Sequence, residues 1–350
     1  MHKAGIFLTS KNNYTMLDEW ASLYDYENVI VLNLDVGSSL ESIKAGKKIC
    51  EKHGIFFMES KSSSMQDNAL EACNFFKERN IEWCIYSHQD AYPLTLNFFD
   101  KLDSILSNDS MSEFGTIGFN IYHDQNEINQ WDPNNEKLMT LARTPLELGE
   151  GWYRVKHTSR CSYDKFPVDK PFAIEIPMWS TFMFNIDLYI EEIDIDRNFQ
   201  FFHAWDDVAM QFLNKNIYNI ALPMLSFAHD QSLKLNHNLP KKSPETDSKK
   251  RYELYGRFDH LKIWKDKWKF EYDINKNFLK RIPFLRKVFF KILNSTIGTS
   301  FLETVSRNSY KKVRIEYAGT LIDEFYNHDP KNGPLRTFSF EVNNNFSNNT

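Results

Sequence analysis

The sequence predicts an α/β protein whose core is an open, mostly parallel sheet flanked by helices. Three observations carry that expectation. Short apolar runs alternate with amphipathic stretches through the first hundred residues, polar turns bound each run, and the runs are dense in Val, Ile, Leu and aromatic side chains, as strands covered on both faces must be.

Taken in order, residues 4–8 (AGIFL), 29–34 (VIVLNL), 55–58 (IFFM) and 81–86 (IEWCIY) read as the first four strands. Between them, residues 15–24, 40–53 and 65–79 carry helical spacing. Ser38 and Ser39 are suited to cap the second helix and Ser63 and Ser64 the third, while Gly54 suits the stop of the second. Residues 94–106 predict a further helix and 115–121 a strand. A long irregular stretch, 122–171, follows, with Gly149, Gly151, Trp152 and Arg154 clustered in it; loops of this length are usually lids or insertions. Residues 174–185 then read as a strand, 204–215 as a helix opened by acidic residues, and 217–223 as a last core strand leading into the loop 226–230. The core domain is expected to span 1–235. Its first half, about 1–121, forms one side of the ligand crevice and 122–235 the other. Residues 236–256, polar and holding Pro240 and Pro244, read as a linker or surface loop, 257–340 as a mainly helical C-terminal extension, and the Asn-rich 341–350 as a disordered tail.

Composition narrows the function. The 350 residues hold 42 Lys and Arg against 47 Asp and Glu, a formal charge of −5, so no global attraction for nucleic acid exists and none is expected as partner. Aromatic residues reach 15%, which supplies a large core and stacking surfaces. The four cysteines form no CxxC pair, and neither a signal-peptide pattern nor a membrane-spanning apolar run is present, so a reduced, cytoplasmic protein is expected. From 276 to 291 six basic and no acidic residues interleave with Phe, Leu, Ile and Val, the pattern of a helix solvated on one side or of peripheral contact with an anionic membrane face. GxGxxG, GxxxxGK[ST], GxSxG and HExxH are all missing, which disfavours dinucleotide oxidoreductases, P-loop enzymes, common serine hydrolases and zincins.

In an open α/β sheet the ligand lies outside the C-terminal ends of the strands, so the residues there carry the chemistry. The fourth strand delivers His88 and Asp90 into that crevice, spaced to share one face if the backbone stays extended; the plainer reading makes Asp90 the cap of the next helix. A carboxylate there suits a hard divalent ion, Mn²⁺ or Mg²⁺, that keeps open positions for phosphate oxygens. Trp205, Asp206 and Asp207 open the helix at 204; the acids complement its dipole, and one of them is placed to act as general base toward a hydroxyl, with Trp205, and likewise Trp179, stacking on a sugar. His229 and Asp230 follow the last strand, where an imidazole can join Asp90 on the ion. Asp35 ends the second strand as an acceptor for a nucleoside or as a turn residue before Gly37.

With strand ends at Thr9, Asp35 and the HQD of 88–90, then an acidic pair opening a helix and then a histidine, residues 4–232 resemble the GT-A glycosyltransferases of the family 2-like type. The resemblance implies a GT-A (Rossmann-like) fold and transfer of a sugar from a nucleotide diphosphate donor to a hydroxyl of a glycan or lipid-linked acceptor, as in polysaccharide biosynthesis. His88 stands where the usual DxD has its first acid. By resemblance Asp90, His88 and His229 hold the metal, Asp207 is the base of an inverting transfer with Asp206 replacing the family's Glu, and Thr9, Asp35 and Asn68 meet the donor; the irregular stretch 122–171, with Arg143, Trp152 and Arg154, is expected to fold over donor phosphate and sugar. A metal-dependent phosphoesterase using His88, Asp90, His229 and Asp230, and a glycan-binding protein on a degenerate transferase scaffold, are the competing readings.

Overall fold

The computed structural model describes residues 2–135, 137–143, 152–154, 165–199, 203–230, 232–233, 263–264, 267–268, 317–328 and 332–340. The linker 236–256, the basic stretch 276–291, the tail 341–350, Gly149, Gly151 and Cys161 lie outside the described residues.

Strands β1 (Ala4–Ser10), β2 (Val31–Asp35), β3 (Phe56–Glu59) and β4 (Trp83–Ser87) alternate with helices α1 (Tyr14–Trp20), α2 (Leu40–Lys52) and α3 (Met65–Lys77), as the periodicity predicts. Ser39 caps α2 by accepting from the Ser42 N–H at 3.3 Å, and Gly54, at a φ of +66°, ends the turn after it. These strands lie parallel in the order β3-β2-β1-β4, which is the expected open, doubly wound sheet. Their register brings Ser10, Asp35 and Glu59 level at one edge.

Beyond β4 the chain adds β5 (Ala91–Pro93), α4 (Phe98–Leu106), β6 (Thr116–Tyr122) and the short α5 (Gln125–Ile128). The stretch expected to be irregular then contributes β7 (Thr140–Arg143) and β8 (Trp152–Arg154), an antiparallel pair joined to β6. The single strand predicted over 174–185 is three: β9 (Phe172–Ile174), β10 (Ile176–Pro177) and β11 (Thr181–Asn185). Pro177, which has no N–H for a ladder, closes β10, and the turn at 179–180 redirects the chain so that β11 enters antiparallel between β4 and β6. Helices α6 (Ile186–Glu192) and α7 (Ala204–Asn214) follow.

The last strand, β12 (Asn219–His229), is longer than predicted, and its end replaces the loop expected from 226. It pairs parallel with β6 up to Leu222↔Phe119, is interrupted at Pro223, Met224 and Leu225, and resumes at Ser226↔Asn120. Together these strands form one twelve-stranded sheet.

Hydrophobic layers cover both faces. One packs α1 and α4 against Ile6, Leu8, Ile85 and Phe119; the other packs α3, α6 and α7 against Phe7, Tyr86, Phe182 and Phe184. The second layer also contains Trp264, Trp268, Tyr317, Leu321 and Ile322, the last two from α8 (Leu321–Asn327). Farther on, Ala173 donates its N–H to the Arg336 carbonyl at 2.9 Å, and Thr337 bridges to Phe172 on β9. Described residues beyond 235, Trp264, Trp268, Tyr317, Leu321 and Ile322 among them, therefore pack into the same core. Among the described residues no helix is long and apolar enough to cross a membrane.

Candidate metal centre and its surroundings

Two strand registers build the centre. In β4–β11 pairing Ser87 stands opposite Thr181, and the next residue, His88, gives its N–H to the Ser180 carbonyl at 2.9 Å. Residues 88–91 then turn back, with the Ala91 N–H on the His88 carbonyl at 3.0 Å, so that β5 runs antiparallel to β12 with Ala91 opposite His229. The Asp230 N–H closes the far side on the Asp90 carbonyl at 2.7 Å. His88 and Asp90 meet through this turn rather than through the extended backbone expected for them, and helix α4 begins at Phe98 with Asn97, not Asp90, at its N-cap position.

The outcome is a trio of side chains from distant parts of the sequence. His88 Nδ1 lies 3.7 Å from Asp90 Oδ1, and His229 Nε2 lies 3.2 Å from Asp90 Oδ2, with the Asp90 carboxylate fully buried. One donor atom from each lies within 4.8 Å of the others. Ligand atoms held at about 2.1 Å by one ion stand roughly 3–3.5 Å apart, so the trio needs little adjustment to close on a cation. Two imidazoles and a carboxylate suit a first-row divalent ion such as Mn²⁺ better than Mg²⁺, which prefers oxygen throughout. The donor set therefore fits a divalent cation of the class expected, Mn²⁺ or Mg²⁺.

Around the trio the sheet edge is polar and internally connected. Gln89 donates to the Ser10 hydroxyl, which donates to Asn33 Oδ1 at 2.5 Å. Trp179 packs edge-on against the His88 ring with centroids 4.8 Å apart and is only partly buried. Burial pushes the Tyr86 hydroxyl well above its ordinary range.

Asp35 is held by its own loop. One carboxylate oxygen accepts from the Gly37 and Ser38 N–H groups at 3.0 and 2.9 Å, and the other from the Tyr14 hydroxyl. Burial, the largest single influence, pushes its carboxyl up, but the hydrogen bonds from Ser38, Tyr14 and Gly37 together outweigh it and hold the carboxyl below the ordinary aspartate range. The loop after β3 ties this position to Asn68: Ser60 gives its N–H to the Asp35 carbonyl at 2.8 Å and its hydroxyl to Asn68 Oδ1 at 2.5 Å.

The helix α7 residues separate. Trp205 is 4% exposed and packs against Phe7, Tyr86, Phe182 and Phe184, so its ring is core wall and offers no face to a sugar. Asp206 faces His203, whose Nδ1 lies 2.7 Å from Oδ2. Asp207 is not among the metal trio. Its carboxylate is fully buried and accepts from Gln66 Nε2 at 3.0 Å, Gln211 Nε2 at 2.8 Å, Trp268 Nε1 at 2.8 Å and Lys267 Nζ at 2.8 and 2.9 Å. A carboxylate has about four acceptor sites, and these donors fill them. The structure thus brings His88, Asp90, His229 and Trp179 together, links Asp35 to Asn68, and does not bring Asp207 to the trio. Arg143 and Arg154 lie on the paired strands β7 and β8, and their side chains lie outside what is described.

Several residues escaped the sequence reading. Lys267 and Trp268 reach Asp207 from sixty positions away, and no local pattern announces them. His123 lies beside His229 and was visible in principle, because it stands two residues past the predicted strand 115–121, at the edge where ligands bind.

No protein-family model matches the sequence, and no curated protein matches it. Among solved structures the chain is similar to GalNAc-T7 with UDP, GalNAc and Mn²⁺, at 11% identity over 66% of this chain and 44% of that one, TM-score 0.48. It is similar to S. aureus TarS 1-349 in complex with UDP-GlcNAc, at 12% identity over 65% of this chain and 58% of that one, TM-score 0.39. A third is a cytidylyltransferase from Leptospira borgpetersenii, at 12% identity over 57% and 67%, TM-score 0.30. The chain spans about half the length of the first two structures.

Proposed function

We propose that this protein is a metal-assisted glycosyltransferase that moves a sugar from a nucleotide diphosphate donor to a hydroxyl of a glycan or lipid-linked acceptor. The observation that carries the proposal is the convergence of His88, Asp90 and His229 at the ligand edge of a doubly wound sheet whose second strand ends in the buried Asp35. A divalent ion bound to the trio supplies positive charge to a departing diphosphate. Asp35, Ser60 and Asn68 shape the nucleoside side of the crevice, Thr9 contributes to its floor, and Trp179 offers the acceptor sugar an aromatic face. Arg143 and Arg154 belong to the donor side in this reading.

For the proton, we favour Asp206 over Asp207. Asp207 has its acceptor sites filled, whereas Asp206 is oriented by His203 at the opening of α7 and takes the acceptor proton as the hydroxyl attacks in line, an inverting displacement. The phosphoesterase reading is weaker, because Asp230 is engaged elsewhere: Oδ1 accepts from Ser232 at 2.9 and 2.6 Å, and Oδ2 from Gln125. A reducing, cytoplasmic setting accords with the buried thiols, and peripheral membrane contact through 276–291 is tested by flotation with anionic liposomes.

The decisive experiment is a thermal-shift screen of UDP, GDP, dTDP and CDP, each with and without Mn²⁺. One diphosphate is expected to raise Tm only with the ion, in wild type and not in Asp90→Asn. No shift with any of the four would overturn the proposal.

A further inference from the structure

We propose that His123 is the positioning residue of the metal centre, holding His229 in the ring orientation and tautomer that aims Nε2 at Asp90. The inference rests on the metal reading above and goes beyond it by assigning a role to a buried imidazole outside the trio. The geometry begins with strand register. Because β12 resumes beside β6 after its interruption, Ala228 stands opposite Tyr122, and the following residues, His229 and His123, become neighbours on adjacent parallel strands. Their Nδ1 atoms are 3.0 Å apart and their ring centroids 5.2 Å, with both side chains buried. His123 is itself fixed: its backbone N–H donates to Glu127 Oε2 at 2.8 Å, and Glu127 sits in α5, which Asp124 caps.

A hydrogen bond between two imidazole nitrogens contains one proton, and which ring carries it decides what His229 can do. When His229 holds the proton on Nδ1 and His123 accepts it, His229 Nε2 carries a lone pair directed at the Asp90 side and can ligate a cation. When the proton lies on His123, neutral His229 carries its own on Nε2, donates it toward Asp90 Oδ2 at 3.2 Å, and cannot ligate. An acceptor at the His123 Nδ1 position therefore favours the ligating tautomer, the service that an outer partner gives to a metal-bound histidine.

The test is Mn²⁺ affinity, read by electron paramagnetic resonance of the free ion on the full chain. His123→Phe keeps volume and removes the acceptor; affinity is expected to fall about 10–100-fold, the loss usual for an outer-partner mutation. His123→Asn, whose side-chain oxygen falls near the Nδ1 position, is expected to restore most of it, with metal-free Tm the same in both. Wild-type affinity in a folded His123→Phe overturns the proposal, and so does failure of Asn to rescue. Asp90→Asn and His229→Ala separate the levels: if they too bind Mn²⁺ like wild type, the metal reading has failed, whereas loss in them alone rejects only the role of His123. Should His123→Phe not fold, histidine ¹⁵N correlation spectra of the Zn²⁺-loaded wild type decide. A proton on His123 Nε2 with Nδ1 accepting supports the assignment, and a proton on His123 Nδ1 overturns it.

Discussion

Replacing Asp207 by Asn distinguishes an anchor from a catalytic base. In the structure the carboxylate receives hydrogen bonds from Gln66, Gln211 and Trp268 and an ion pair from Lys267. An amide keeps one acceptor oxygen and turns an NH₂ group against donors, so at least two buried donors lose their partner. Breaking a buried pair on one side costs about 3–5 kcal/mol, and the lower end applies because the Lys267 side chain is 30% exposed and can return its charge to water. A loss of about 3 kcal/mol lowers Tm by roughly 6–12 °C at the sensitivity of domains of a few hundred residues. Thermal unfolding followed by circular dichroism measures this directly, with Asp206→Asn as the companion. That variant is expected to unfold within a few degrees of wild type and, in a sugar-transfer assay with the donor identified by thermal shift, to lose about 10²–10⁴ in rate, the usual worth of a positioned base. An Asp207→Asn protein that melts with wild type yet transfers no sugar would refute the reasoning and return the base to Asp207.

Three further outcomes follow from the geometry. The folded carboxyl of Asp35 titrates below its unfolded counterpart, so the stability it contributes is present above about pH 4 and lost as pH falls through the folded value. Urea unfolding of wild type and Asp35→Asn should therefore differ most near neutrality and converge in acid; a difference that grows in acid contradicts this. Gly46→Ala in α2 ordinarily gains about 1 kcal/mol as a helix substitution, but here the new methyl would stand 2.4 Å from the Tyr14 ring. Overpacking of about 1–3 kcal/mol outweighs the gain and disturbs the Tyr14 bond to Asp35, so Tm should fall, and a rise would show that Tyr14 yields freely. Burial pushes the Cys50 thiol up to about 12 and those of Cys73 and Cys84 well above their ordinary value. At pH 8 all three should resist Ellman's reagent until denaturant is added, and peptide mapping that finds any of them labelled in the native protein counts against the packing described.

The first half of the fold was legible because each of its strands is a local apolar run between polar turns, and parallel order follows from the helices between them. What was not legible is long-range. The alternation within 174–185 does not reveal that Pro177 and the turn at 179–180 cut it into separate strands. Nor does the sequence 217–229 show that three interrupting residues restore pairing and carry His229 into the sheet rather than into a loop. For the site, position at a strand end pointed to Asp90, His88 and His229, which the fold brings together, and it overlooked His123, although Asp124 follows it as Asp230 follows His229, because that pair opens the stretch read as irregular. The same guide did not distinguish Asp206 from Asp207 or core from surface for Trp205, because a helix start shows which residues are near an edge and not which way each side chain turns. That depended on Lys267 and Trp268, whose arrival no local pattern encodes.

The distance in sequence between Asp207 and its partners has a consequence for how the protein is made. Asp207 emerges from the ribosome sixty residues ahead of Lys267, a delay of about 3–12 s at ordinary synthesis rates, and Arg336, which pairs with Ala173 on β9, emerges later still. During that interval the nascent sheet carries a charged side chain whose counter-charge has not been translated, and which only Gln66, Gln211 and water can satisfy. Closure of the α3–α7 face around it thus waits for Lys267 and Trp268, whose docking converts a hydrated acid into a buried fastening.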